Sequence, residues 1–140
     1  MPIKDYTTTI SVEKTMGEIT GALARRGVTR ISTLFDDDGT PAGLGFTMRT
    51  AYGPRDFELP VRTSGVLAAL EADRVQPKYR TPEHAARVAW RIAKDWLEAQ
   101  AALIDAQLAT LDEVMLPYMV DGRGQTMYAL YVSNQNAIES

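Results

Sequence analysis

Residues 81–110 have the sequence TPEHAARVAWRIAKDWLEAQAALIDAQLAT, and this stretch decides the predicted fold. Thr81 is a favourable N-cap, and Pro82 suits the first helical position, where a missing N–H removes no hydrogen bond. Residues 83–109 include no glycine and no further proline, and most of them are strong helix formers. We therefore predict one uninterrupted amphipathic helix over this stretch.

The apolar side chains of this predicted helix cover more than half of its circumference at about 100° per residue. An arc this wide requires more than one partner surface. A helix of about 28 residues is also on the order of 42 Å long, which exceeds the span of a sheet of short strands. We therefore expect its C-terminal half to pair with a second copy of the chain. The predicted homodimer interface comprises Trp96, Leu97, Ala101, Leu103, Ile104 and Leu108.

The remaining segments predict a small sheet for this helix to cover. The β-branched run at 5–10 indicates a first strand, and Ser11 can cap the helix that follows it. Further strands are predicted at 28–35, 43–50 and 56–61, and helices at 12–26, 64–73 and 111–118. The tail from residue 122 is expected to dock through side chains such as Tyr128 and Tyr131 and to fray at its end.

The predicted architecture is a single α+β domain over residues 1–140. Its fold class is a four-stranded, mainly antiparallel sheet covered on one face by helices. The elements follow the order β-α-β-β-β-α-α-α and include one long amphipathic helix.

The composition excludes several classes of site. The chain has no cysteine and one histidine, so it lacks disulfides, thiolate zinc ligands and thiol nucleophiles, and we predict no metal and no cofactor. His84, near the start of a helix, is expected at the surface. No nucleophile elbow, P-loop or dinucleotide motif is present, so no enzymatic activity is predicted. No apolar stretch approaches the ~20 residues of a membrane span, and the N-terminus lacks a signal-peptide core, so we expect a cytoplasmic protein.

Positive charge is concentrated in one part of an acidic chain. The net charge is −3, yet residues 74–94 hold six basic residues and one acidic residue, a net of +5, which leaves −8 elsewhere. A phosphate backbone could follow this segment. The candidate nucleic-acid contacts here are Lys78, Tyr79, Arg80, Arg87, Arg91 and Lys94. The alternative is an ordinary charged face, with Arg91 paired to Asp95 and Lys94 paired to Glu98.

A second candidate is the polar face of the predicted sheet. It would carry threonine and serine hydroxyls together with Arg30 and Arg49, and the adjoining turn would add Tyr52 and Arg55. Such a face can support single-stranded nucleic acid, since a ring stacks on bases and cations contact phosphates. The alternative is a solvated sheet face without a ligand.

Three segments resemble a family of small proteins encoded by bacteriophages and prophages. They are DYTTTI at 5–10, RTPEHAARVAWRIAKDWLEAQ at 80–100 and ATLDEVMLPY at 109–118, and the likeness covers most of the chain. The resemblance implies a viral origin and an intracellular bacterial setting, and it transfers no catalytic residue. Small phage proteins of this size often serve replication, recombination or suppression of host defences.

These observations lead to two functional hypotheses. The first is a non-enzymatic, phage-encoded nucleic-acid-binding protein that binds single-stranded DNA in replication or recombination. The alternative is a protein-interaction module that binds and modulates a host or phage protein, for example as a host-takeover or anti-defence factor. It would use the apolar helix together with Tyr128 and Tyr131 of the tail.

Overall fold

The computed structural model describes residues 2–139 and has an α+β architecture. Within these residues there are five α-helices and one three-stranded antiparallel sheet. The elements are α1 (Val12–Ala24), β1 (Val28–Phe35), β2 (Pro41–Thr50), β3 (Gly53–Pro60), α2 (Ser64–Ala72), α3 (Pro82–Asp105), α4 (Leu111–Met115) and α5 (Met127–Glu139). Short 3-10 helices lie at Pro77–Tyr79 and Leu116–Tyr118.

The prediction of a fourth strand at 5–10 is wrong, and with it the predicted element order. Asp5 has a backbone φ of 65°, and the Thr8 N–H donates to the Asp5 carbonyl at 2.9 Å, so the chain turns here. The Thr8 hydroxyl accepts the N–H of Ile10 at 3.2 Å, and the Tyr6 carbonyl meets the imidazole of His84. Because side chains, one of them from α3, bind these backbone groups, the β propensity of the run does not produce a strand. The observed order is α-β-β-β-α-α-α-α.

The sheet is a meander in the order β1-β2-β3. The predicted strand at 28–35 is confirmed, and the other two lie within two or three residues of their predicted bounds. Phe46 of β2 lies opposite Ile31 and Phe57, and its ring stacks on that of Phe57 at a centroid distance of 5.2 Å. Gly43 permits the close approach of β3, because a Cβ at this position would lie 2.5 Å from the Leu59 carbonyl oxygen.

Helices α1 and α3 pack against each other over the apolar face of the sheet. Both predicted N-caps are confirmed: the Ser11 hydroxyl accepts the Lys14 N–H, and the Thr81 hydroxyl accepts the His84 N–H, each at 3.1 Å. The largest fully buried side chain is Trp90, in the first half of α3. The main apolar cluster also includes Ile19, Leu23, Leu44, Phe46, Phe57, Leu97, Leu111 and Met115.

The long helix ends earlier than predicted, at Asp105. Gln107 has a φ of 62°, and the N–H groups of Leu108 and Gln107 donate back to the carbonyls of Leu103 and Ile104. This is the hydrogen-bond pattern of a Schellman C-cap, which glycine usually makes. Gln107 takes the left-handed position here, so the sequence has no glycine that would predict the end of the helix. The predicted uninterrupted helix over 81–110 is therefore wrong at its C-terminal end.

The C-terminal tail forms the helix α5, whereas the prediction for the tail named no secondary structure. The Thr126 hydroxyl accepts the Ala129 N–H at 3.1 Å and so caps α5. Upstream, the Val120 N–H donates to the Asp56 carbonyl at 2.8 Å. Met119 forms an isolated antiparallel β-bridge with Phe57 at the outer edge of β3. The residues directly before the tail are thus attached to the edge of the sheet. None of the helices within 2–139 has the length and apolar character needed to cross a membrane.

Candidate nucleic-acid interface

The face of the sheet turned away from α1 and α3 carries charges of both signs. Arg30 lies opposite Thr47, and Arg49 follows two positions later on the same side of β2. Asp56 and Glu58 of β3 share this side, and the Thr47 hydroxyl donates to the Asp56 carboxylate at 2.6 Å. The two arginines are therefore balanced by two carboxylates. This balance weakens the positive field that the face presents to a phosphate backbone.

The two turn residues of this candidate site do not join the two sheet arginines. Arg55 lies opposite Met48, on the other side of the sheet, and its guanidinium donates to the Pro54 carbonyl at 2.8 Å. Tyr52 projects from the β2–β3 turn and is largely exposed. The predicted sheet site is thus divided between two faces.

Two of the cations predicted on the long helix are held in ion pairs. Arg91 has a 13% exposed side chain, and it lies 2.9 Å from the Glu18 carboxylate of α1 and 3.2 Å from the Thr15 hydroxyl. Lys94 lies 3.5 Å from Glu18 and 2.5 Å from Glu98. The hydrogen bond from Arg91 lowers the pKa of Glu18, and the hydrogen bond to Glu98 raises the pKa of Lys94. These two cations join α1 to α3, so their charges are already largely compensated.

The other cations predicted on this segment lie around the start of α3, beside a pocket of about 440 Å³. We call this cavity the α3 pocket. The two cations among its lining residues are Lys78 and Arg87, and no carboxylate lines it among the described residues. Its complete lining is Thr7, Thr8, Thr9, Ser11, Lys78, Tyr79, His84 and Arg87. Arg80 is exposed nearby in the chain but does not line the pocket.

His84 holds one wall of the α3 pocket in place. Its side chain is buried, with 3% of the residue exposed, so the expectation of a surface histidine is wrong. Nε2 lies 2.5 Å from the Tyr6 carbonyl oxygen, which can only accept, so Nε2 carries the hydrogen. Nδ1 is then the acceptor for the Arg87 guanidinium at 3.2 Å. The imidazole therefore connects the N-terminal segment to Arg87 and orients both.

The ring of Tyr79 is already in contact with other side chains. It packs edge-on against Tyr6 at a centroid distance of 5.7 Å, and Lys78 Nζ lies 5.0 Å from its centroid. His84 lies 5.1 Å away on a tilted plane. The lining of the α3 pocket is consequently better suited to binding an anion through its cations and hydroxyl groups than to stacking on a base.

Two carboxyl groups share a hydrogen bond next to this N-terminal segment. The bond to Asp95, together with burial, raises the pKa of Asp5, and the same bond lowers the pKa of Asp95. Lys4 Nζ lies 3.2 Å from the Asp95 carboxylate. The raised pKa of Asp5 and the lowered pKa of Asp95 indicate that Asp5 keeps its proton to a higher pH than Asp95 does. Ionisation of Asp5 therefore places two like charges together and opposes folding of the segment.

We expect the Asp5→Asn variant to be more stable than the wild type at neutral pH. The raised pKa of Asp5 means that its stabilising contribution is complete at low pH and is lost as the pH rises through that pKa. An asparagine amide can donate to Asp95 at every pH and tolerates a positive φ. Thermal unfolding should give a higher midpoint for the variant at pH 7 and equal midpoints below about pH 3.5. Asp37→Asn in the exposed hairpin turn is the control, and a less stable Asp5→Asn protein at pH 7 would contradict the pairing.

The predicted dimer residues are divided between the interior and the surface. Leu97 and Ala101 are buried, and Leu97 belongs to the main apolar cluster. Trp96 and Ile104 are partly buried against the same cluster, and the Trp96 ring meets Tyr118 edge-on at 6.2 Å. Leu103 and Leu108 are exposed. The homodimer stays a prediction, and only part of its predicted surface is accessible in one chain.

No protein-family model matches this sequence, and neither a curated protein nor a solved structure matches it. The resemblance to phage and prophage proteins therefore stays a prediction. In the part of the chain that the structure describes, no three His, Asp or Glu side chains lie together in a way that could hold a metal ion.

Proposed function

We propose that this protein is a non-enzymatic binder of single-stranded nucleic acid, in the first instance DNA, and that the α3 pocket holds the phosphate backbone. The supporting observation is the composition of that pocket, which combines Lys78 and Arg87 with a wall of hydroxyl groups and no lining carboxylate among residues 2–139. Lysine, arginine and hydroxyl side chains are among the protein groups that contact phosphate oxygens.

The charges around the pocket support the same proposal. Lys78, Arg80 and Arg87 form no ion pair within residues 2–139, in contrast to Arg91 and Lys94. Arg80 is exposed beside the pocket residues in the chain and can extend the cationic path. Since the Tyr79 ring already packs within the protein, we expect phosphate contacts rather than base stacking to dominate the affinity.

The cellular setting is part of the proposal and has separate support. The resemblance of three segments to phage and prophage proteins favours a phage-encoded protein that acts in the cytoplasm of a bacterial host. Replication and recombination are the phage processes that expose single-stranded DNA, and we propose that the protein acts in one of them.

The direct test is a titration of a fluorescently labelled oligo(dT) with the full chain. We expect anisotropy to rise at micromolar protein in 50 mM salt, and binding to weaken as salt increases. Three phosphate contacts would give a slope of about −2 in a plot of log K against log salt concentration. A duplex of equal length tests the strand preference. No anisotropy change at low salt and about 100 μM protein would refute the proposal.

The second candidate, a protein-interaction module, is supported by the surface of α5. Tyr128, Tyr131 and Val132 are exposed large apolar side chains, and the two tyrosine rings stack at a centroid distance of 6.4 Å. Exposed aromatic clusters are common at protein interfaces. A pull-down from host lysate with and without nuclease separates the two candidates, because nucleic-acid-dependent capture is lost after nuclease treatment.

A further inference from the structure

A groove with a volume of about 980 Å³ lies between the β2–β3 turn and the corner where α3 passes into α4. We call it the corner groove. Its apolar lining includes Met48, Ile104, Leu108, Leu111 and Leu116, and Tyr52 stands on the turn that forms one wall. The early end of α3 creates this corner, because the Schellman cap at Gln107 turns the chain and leaves Leu108 outside the helix.

Several large apolar side chains around the corner groove are exposed to water. Tyr52 is 81% exposed, Leu108 72% and Leu116 51%. Single exposed apolar residues are ordinary on a protein surface, but several of them around one concave surface indicate an interaction site. The groove therefore has the composition of an interface core.

The unpaired charges at the two walls have opposite signs. Arg26 also lines the groove but is already paired with Asp105 at 2.9 Å, and Glu113 lies beside Asp112 on the acidic wall. Arg49 lies at the lip where β2 enters the turn, and Asp112 lies on the opposite wall in the first turn of α4. Neither side chain forms an ion pair within residues 2–139. A surface with a basic wall and an acidic wall is complementary to itself under a two-fold axis, since each wall then faces the opposite wall of the other copy.

We propose that the corner groove is the contact surface between two copies of this chain. The projecting Tyr52 of each copy enters the groove of the other beside Leu108, and Arg49 of each copy faces Asp112 of the other. This arrangement retains Ile104 and Leu108 from the predicted dimer interface at the contact. It leaves Leu97 and Ala101 in the interior, where the structure places them.

The two proposed surfaces lie at opposite ends of α3 and are independent of each other. Arg87 and Asp105, the last residue of α3, are separated by about 27 Å along the helix, at ~1.5 Å per residue. A dimer formed through the corner groove therefore leaves both α3 pockets accessible. Failure of either proposal does not affect the other.

The first test compares two substitutions at exposed apolar positions by sedimentation equilibrium between about 1 and 100 μM. We expect the wild type to approach twice its 15.4 kDa chain mass, and Leu108→Glu to dissociate at least tenfold more readily. Phe35→Glu is the matched control, because Phe35 is exposed at the end of β1 outside the groove. A wild type that stays at 15.4 kDa, or a Leu108→Glu dimer as stable as the control, would overturn the proposal.

The second test uses a charge exchange that only a symmetric pair of copies can satisfy. Arg49→Glu alone places two carboxylates opposite each other twice in the dimer, and Asp112→Arg alone places two cations there, so each variant should dimerise weakly. An equimolar mixture should recover wild-type dimerisation, because both contacts in the mixed dimer then join opposite charges. A mixture as weakly associated as the two separate variants would refute the two-fold arrangement.

Discussion

The Trp90→Ala variant is expected to lose about 3 to 5 kcal/mol of the free energy of unfolding. Trp90 is fully buried in the main apolar cluster, where α3 meets α1 and the sheet. Alanine would leave a large cavity that the surrounding helices can close only in part. Urea unfolding followed by far-UV circular dichroism measures the loss, and the midpoint should fall without a change in native secondary structure.

Two further variants make this result interpretable. Trp96→Ala removes the same side chain from a partly buried position on the same helix, and it should reduce the free energy of unfolding by less than half as much. Trp90→Phe should also reduce the free energy of unfolding by less than Trp90→Ala does. Nε1 of Trp90 has no hydrogen-bond acceptor among the described residues, so the substitution breaks no hydrogen bond. If Trp90→Ala does not fold, Trp90→Phe still measures the site. Equal losses at positions 90 and 96 would contradict the buried position of Trp90.

The double variant Lys78→Glu/Arg87→Gln is expected to bind oligo(dT) roughly 100-fold more weakly than the wild type. Both substitutions remove a cation from the α3 pocket, and glutamine can still donate a hydrogen bond to Nδ1 of His84. The slope of log K against log salt should become shallower by about 1.4, since two phosphate contacts are lost. Anisotropy titrations at several salt concentrations measure both quantities.

The matched control for this result changes the net charge equally at another place. Arg62→Glu/Arg123→Gln removes two exposed arginines that do not line the α3 pocket, and it shifts the net charge by the same three units. We expect this control to weaken binding only slightly through the long-range field. Equal weakening in both double variants would show that overall charge, and not the pocket, determines the affinity.

Local features of this fold were predictable because adjacent residues determine them. The caps at Ser11 and Thr81 depend on side chains within three positions of the backbone they bind, and so does the capping box that Thr110 and Glu113 form at the start of α4. The strand at 28–35 follows from its β-branched residues and the turn signals around it.

The errors arise where distant residues, or an unusual residue, decide the structure. The strand propensity of 5–10 is overridden by contacts with α3, more than seventy positions away. The end of α3 depends on a glutamine in a conformation that usually signals glycine.

The candidate site was only partly predictable for the same reason. Lys78 and Arg87 were identifiable from the local excess of basic residues, and the structure places both at one pocket. The sequence predicts a strand for the hydroxyl wall from Thr7 to Thr9, and no signal in the sequence connects this wall to α3. Glu18 likewise pairs with Arg91 across the contact of two helices, so the sequence could not show which cations remain unpaired.

The meander of the sheet has a consequence for how the chain assembles. Its strands join residues that are close in sequence, whereas the contact between Glu18 and Arg91 spans 73 positions. Closing a flexible loop of that length carries an entropic penalty on the order of 4 kcal/mol, beyond a constant term. A meander that is already formed replaces residues 28–60 by one stiff unit and shortens the freely moving part of that loop. The entropy lost when α1 meets α3 is therefore smaller once the hairpins exist, which favours early hairpins and a late docking of the two helices.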